Sequence, residues 1–405
     1  MKFAFYCRSL RFSGGRSVAL GLLNELKIGH YDHEFVVYAP MDPLYHDLQS
    51  KNMNIHCRNS HGGVHQMLAQ NLLRMELDRD KPDALFMMGN LGYRQSPCPQ
   101  AVLVHNPWIL YPETPAWKML SLRDRIYYKI RRYLQASSFK YCDAILAQTP
   151  VMIERLHNLL HIPYAKMALM LNSFTATRGS YNRISESSRK ITSRSHTHRS
   201  LCLSRYFTHK NLFIFLKVAD ELLLSGRDDI LLITTVDAYQ HSEAARFIKE
   251  AMKNGRDRVL LNIGEVPMQD VPSCYDSANS MILPSLLECF TGNYPDAMQA
   301  GVPIITSDLD FAHVVCSNAA LYVDPMDAHG IANTLCSLAD NPDLNSSITS
   351  AGQNRSRFLS VGWDEISKDI VVVMEKLALK QSLPNVTEHR WMKEWTKNKR
   401  SCDFQ

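Results

Sequence analysis

Short apolar runs separated by helix-length amphipathic stretches recur along the chain, and that rhythm sets the expected architecture. In the first half, strands are expected at Phe3 to Cys7, Glu34 to Ala39, Ala84 to Met88, Ala101 to His105, Ala144 to Gln148 and Met167 to Leu171, with a helix from about Gly15 to Leu26. Strands joined by helix-length segments pair in parallel through right-handed crossovers, so a mainly parallel sheet follows. From about Ser173 to Ser200 the periodicity gives way to Ser, Thr, Arg and His, the composition of a linker or loop. The strand rhythm resumes at Leu201 to Leu203, Asp229 to Thr235, Val259 to Ile263, Ser280 to Leu283, Val302 to Thr306 and Ala320 to Val323. Ile366, Ile370, Val373 and Met374 then fall near helical spacing between Trp363 and about Lys380, ahead of a charged, Trp-containing tail.

The expected organisation is an α/β chain with one Rossmann-like domain over residues 1–172, a linker over 173–200, and a second Rossmann-like domain over 201–375. Residues 376–405 are expected as a terminal helix and tail, either frayed or packed back on the first domain. Length agrees, since 405 residues exceed what one hydrophobic core usually organises.

Composition narrows the class. With 45% hydrophobic and 21% charged residues, global disorder is excluded. The net charge of +5 is the small remainder of 45 basic and 40 acidic residues, too mild to imply nucleic-acid binding. The ten cysteines form no CxxC pair and no zinc-like spacing, so they are expected as reduced, mostly buried thiols. The run Met1 to Cys7 is too short for a signal peptide and reads as the first strand. No window approaches the roughly 18 to 20 apolar residues that span a bilayer, so a cytoplasmic protein, at most peripheral to a membrane, is expected.

Three segments carry candidate chemistry. Ser13-Gly14-Gly15-Arg16-Ser17 lies between the first strand and a helix, where glycines admit a ligand and helix-start amides face an anion; a plain βα turn is the alternative. Arg205 and Lys210 follow the first strand of the second half, and two cations on such a loop can converge on one diphosphate or simply be solvated. The third runs from Leu283-Pro284-Ser285 through Glu288-Cys289-Phe290-Thr291-Gly292-Asn293 to Asp296-Ala297-Met298-Gln299-Ala300-Gly301-Val302-Pro303. Its two carboxylates, eight positions apart on a loop and a helix start, suit a ligand rich in hydroxyls and phosphate.

This third segment resembles the E-x7-E segment of family 4 retaining glycosyltransferases, a group 1 type with the GT-B fold of two Rossmann-like domains facing across a cleft. Glu288 matches the acid that bonds donor-sugar hydroxyls in that family, and Asp296 stands where a second Glu bonds the nucleotide ribose. Cys289 and Thr291 replace common glycines, which leaves the sugar open. Arg205 and Lys210 match the family's diphosphate-binding pair, Gly14 and Gly15 its first glycine loop, and Val104-His105-Asn106-Pro107 the strand end whose histidine lies beside the donor sugar. Asn172 takes the place of the asparagine between the two domains. Alone, His105 reads as a strand-end core histidine; its place in an ordered series from residue 3 to 375 makes it a site candidate.

The resemblance implies a retaining hexosyltransferase that takes a nucleotide-diphosphate sugar as co-substrate, with no metal or other cofactor. Arg205, Lys210 and His105 are then the catalytic candidates. Gly14, Gly15, Arg205, Lys210, Glu288, Phe290, Thr291, Gly292, Asn293 and Asp296 are the donor-binding ones. The implied acceptor is a saccharide or lipid-linked saccharide in cell-surface polysaccharide synthesis such as O-antigen or capsule. Residues 117–141 add a basic stretch, Lys118, Arg123, Arg125, Lys129, Arg131, Arg132 and Lys140, interleaved with Leu120, Ile126, Tyr127, Ile130, Tyr133 and Leu134. It suits an anionic membrane surface, with a solvated helix face as the alternative. A GT-B sugar-nucleotide epimerase or hydrolase, and a catalytically degenerate GT-B binding protein, remain open.

Overall fold

The computed structural model describes residues 1–11, 13–58, 65–173 and 185–401. The chain divides into two compact units: Met1–Pro112, Leu122–Ser173 and Val361–Gln405 form the first, Glu113–Ser121 and Phe174–Ser360 the second.

The first unit is built on seven strands, β1 (Lys2–Tyr6), β2 (Glu34–Ala39), β3 (Met53–Cys57), β4 (Ala84–Met87), β5 (Gln100–Val104), β6 (Ala144–Ala147) and β7 (Met167–Leu169). Their order is β3-β2-β1-β4-β5-β6-β7 and every pairing is parallel. The central strands β4, β5 and β6 are buried along their whole length, as unbroken apolar runs require when both faces are covered. Sequence reading passed over β3, whose polar Asn54 and His56 alternate with Met53, Ile55 and Cys57; it is an edge strand, only partly buried. The helix Ser13–Ile28 starts two residues before the expected position.

The helix Trp363–Ala378 belongs to this first unit. Its Ile366, Ile370, Val371, Val373, Met374 and Leu377 share one core with Phe3, Phe5, Leu22 and Phe35. Tyr31 bonds Ser367 at 2.6 Å and His33 lies 2.9 Å from Glu375, which fixes the helix against the β1–β2 side. The boundary read at residue 375 therefore gives way to one at 361, because the apolar face of this helix is what covers the first sheet. The last helix, Arg390–Ser401, buries Trp391, Met392 and Trp395 and ties Lys399 to Glu154 at 3.0 Å within the same unit.

The second unit holds β8 (His198–Cys202), β9 (Ile230–Thr234), β10 (Leu260–Asn262), β11 (Ser280–Leu283), β12 (Ile304–Ser307) and β13 (Ala320–Val323). The order is β10-β9-β8-β11-β12-β13, again parallel throughout. Of the stretch expected as a linker, residues 174–184 lie outside the described residues. The remainder is not all loop: Ser185 caps a helix, Glu186–Thr192, and β8 has begun by His198. The described cysteines are all free, and Cys7, Cys142, Cys202, Cys274, Cys289 and Cys316 are buried; Cys402 lies outside the described residues.

Candidate active site

In each sheet the strand order reverses beside the first strand, between β1 and β4 and between β8 and β11. Connections leaving these neighbours diverge to opposite faces, which opens a crevice at the carboxyl ends of the strands. The candidate residues lie at those two places.

In the second unit, the loop after β8 ends in a single turn, Thr208–Lys210, closed by Asn211 in the left-handed conformation at φ 56°. The Asn211 side chain donates to the Pro325 carbonyl at 2.7 Å and pins that turn. Across the reversal, the loop after β11 carries Glu288. Lys210 Nζ donates to Glu288 Oε1 at 2.5 Å, and the two side chains are only 12% and 9% exposed. Burial alone would push the Glu288 carboxyl up, but Lys210 and His209 beside it hold it below the ordinary glutamate value. Glu288 is thus an anion held out of bulk water, an acceptor-only group ready for hydroxyl donors.

The two loops are also joined through the backbone: the Leu286 N–H donates to the His209 carbonyl at 2.7 Å. Asn293 opens the helix Asn293–Ala300, and its side-chain amide reaches back to the Leu203 carbonyl at 2.5 Å, locking that helix to the end of β8. Gly292 caps the helix and is exposed, Thr291 is buried and Phe290 half-buried. Asp296 sits in the first helical turn, and burial lifts its carboxyl to about 7. Arg205 stands further out, 43% exposed, with Nη1 3.6 Å from Glu265 Oε1 just beyond β10.

In the first unit, Gly14 and Gly15 lie in the first turn of Ser13–Ile28. Gly14 is exposed with open space around it, whereas a Cβ on Gly15 would come to 3.3 Å from His105 Nε2 and 3.2 Å from Leu10. Glycine there lets the helix start approach the end of β5. His105 is held by Asn90, whose Oδ1 accepts from the His105 backbone N–H at 2.6 Å and whose Nδ2 lies 3.0 Å from Nε2. With the amide so oriented, Nε2 must accept, so Nδ1 carries the proton, buried and without a partner among the described residues. Burial lowers the imidazole to about 4, so it is a neutral donor, not a cation. Asn172 accepts from Gln148 at 2.8 Å.

The structure therefore brings Lys210, Glu288 and Asn293 together at one strand reversal, and sets Gly15, after β1 at the other, against His105 at the end of β5. Arg205 is nearby in sequence but engaged with Glu265. Sequence reasoning missed Asn90, His209 and Glu265. Asn90, at φ 64° after Gly89, had a turn signature but no chemical one. The roles of His209 and Glu265 depend on which strands become neighbours.

Two parallel sheets of this kind occur in the GT-B fold, and the likeness to solved structures is to that fold. Residues 184–355 match the family model described as "Glycosyl transferases group 1", which covers the second sheet and both acids. Among curated proteins, an O-antigen chain mannosyltransferase, RfbU, of Salmonella typhimurium is 22% identical over 223 residues, 55% of this chain and 58% of that protein. O-antigen chain mannosyltransferase B of Escherichia coli is 36% identical over 87 residues, 21% of this chain and 23% of its own length. The chain thus spans less than two thirds of the curated relatives it matches. Among solved structures, Anabaena HepE, crystallised with UDP and glucose, superposes with a TM-score of 0.69 at 14% identity, covering 93% of this chain and 100% of that one.

Proposed function

We propose that this chain is a retaining glycosyltransferase that moves a hexose from a nucleoside diphosphate sugar to a lipid-linked saccharide acceptor in cell-surface polysaccharide synthesis. The observation that carries the reading is the buried Lys210–Glu288 pair at the β8–β11 reversal, inside the region that matches the group 1 family. A cation and a hydroxyl acceptor 2.5 Å apart fit a ligand whose phosphate and sugar are adjacent.

In this reading Lys210 and Arg205 stabilise the charge that builds on the departing diphosphate, Arg205 leaving Glu265 to do so. Glu288 accepts hydrogen bonds from sugar hydroxyls and Asp296 from the ribose. The acceptor hydroxyl attacks on the face from which the diphosphate departs and gives its proton to a donor phosphate oxygen. Side-chain cations take the part a metal would play, so turnover is expected to persist in EDTA.

The curated relatives are mannosyltransferases, which makes GDP-mannose the first donor to test, with UDP-glucose beside it. Transfer of labelled hexose to a lipid-linked saccharide is expected, with α-anomer donor giving α-linked product. Lys210→Ala should lower turnover roughly 100-fold or more in folded protein. Near-normal turnover in that variant, or hydrolysis of donor that no acceptor accelerates, would overturn the proposal.

A further inference from the structure

The segment Glu113–Ser121 departs from its neighbours in the chain. Residues up to Pro112 and from Leu122 to Ser173 belong to the first unit, yet these nine pack within the second. They do so tightly: Thr114, Ala116, Trp117 and Leu120 are buried, and the short helix Ala116–Met119 lies on the Thr208–Lys210 turn. Thr114 Oγ1 donates to the Leu286 carbonyl at 2.9 Å and accepts the Ala116 N–H at 3.3 Å.

Leu286 is consequently held from both sides. Its N–H is bound to the His209 carbonyl at 2.7 Å and its carbonyl to Thr114, while its side chain is buried. Two residues further on stands Glu288. The peptide that sets the path of the acid loop is thus fixed on one side by the turn that carries Lys210 and on the other by a strap from a distant part of the sequence. Pairing a buried carboxylate with a buried ammonium at 2.5 Å tolerates little displacement, since the Coulomb energy must offset the desolvation of both ions.

We infer that Thr114 is a positioning residue: its hydroxyl holds the Leu286 carbonyl so that Glu288 meets Lys210 in the form that receives the donor sugar. The inference rests on the proposed function only for its kinetic consequence. Its structural part stands on the strap itself.

The test compares wild type with Thr114→Val, which keeps volume and loses the donor, and Thr114→Ser, which keeps the donor and loses a methyl. Hydrogen–deuterium exchange of the unliganded proteins should show faster exchange in residues 284–292 of T114V, with T114S close to wild type and the rest of the second unit unchanged. With GDP-mannose or UDP-glucose, whichever the wild type turns over, T114V should lower kcat roughly five- to tenfold, as expected for one buried hydrogen bond. GDP or UDP binding should change less than about twofold, because Glu288 is assigned to the sugar and not to the nucleotide. T114S should restore kcat. Unchanged exchange in 284–292 of folded T114V, or equal loss in T114V and T114S, would overturn the inference. If wild type turns over neither donor, the functional reading fails, while exchange still decides the strap.

Discussion

At the scale of single residues, environment sets the chemistry of like groups apart. Glu288 and Asp296 are both carboxyls near the β11 end, Glu288 buried and Asp296 half-buried. Glu288 has a buried ammonium at 2.5 Å and stays below the ordinary value; Asp296 has no ion-pair partner among the described residues, and burial lifts it to about 7. Because the fold favours the neutral acid at Asp296, its contribution to stability is present at acid pH and is lost as pH rises through about 7. Ribose hydroxyls, however, donate to the ionised form. Binding of GDP or UDP, followed by calorimetry, should therefore strengthen by up to about tenfold between roughly pH 6 and 8 as Asp296 ionises. Asp296→Asn should flatten the part of that slope which the phosphate's own ionisation does not account for; an identical slope in the variant would remove Asp296 from the nucleotide site.

Among elements, the most informative contact is between the first long helix and the returning one. Gly21 sits inside Ser13–Ile28, where replacement by alanine would ordinarily stabilise by about 1 kcal/mol. Here a Cβ would collide with the indole of Trp363, at the start of Trp363–Ala378. The sign should invert: Gly21→Ala is expected to destabilise by about 1–3 kcal/mol, the usual cost of overpacking, read as a lower midpoint in urea. A stabilised G21A protein would mean that Trp363 moves aside freely. The same contact explains why the end of the chain completes the first unit: without the apolar face from Ile366 to Leu377, one side of the first core would be open to water.

For the molecule as a whole, the feature that reaches outward is the helix Leu122–Ser138. Tyr128 stacks on Trp108 with centroids 4.9 Å apart and Arg132 donates to the Ile109 carbonyl at 3.0 Å, so that side faces the protein. Leu122, Ile126, Tyr127, Ile130, Tyr133 and Leu134 fall on the other side and are exposed, Leu122 and Tyr133 at 73% and 72%. An apolar stripe with the exposed Arg123 and Lys129 beside it has the form of a helix that lies in a lipid surface, and no described helix is long and apolar enough to cross one. We propose that it seats the enzyme on the anionic leaflet that carries the acceptor, on the cytoplasmic side. Cosedimentation with phosphatidylglycerol vesicles should occur at low salt, weaken in neutral phosphatidylcholine vesicles and at high salt, and be lost in Ile126→Asp/Ile130→Asp. Equal recovery with both lipids would remove the electrostatic part of this surface.

What the sequence determined by itself was everything written in a local period or a contiguous motif. Apolar runs marked all strands but β3, whose half-polar edge position weakens the signal, and the spacing from Glu288 to Asp296 with the Arg205–Lys210 pair marked the carboxyl ends of β8 and β11. Tertiary structure alone decided what depends on which segments become neighbours. The helix from Trp363 carries an amphipathic face that any sheet could bury; only packing assigns it to the first. Thr114 is one threonine among many until the strap puts its hydroxyl on Leu286. Lys210 and Glu288, 78 residues apart, were legible as two candidate residues but not as one ion pair. The protonation of Asp296 and the tautomer of His105 likewise follow from burial and from Asn90. These are properties of a residue's surroundings, and the chain acquires them only on folding.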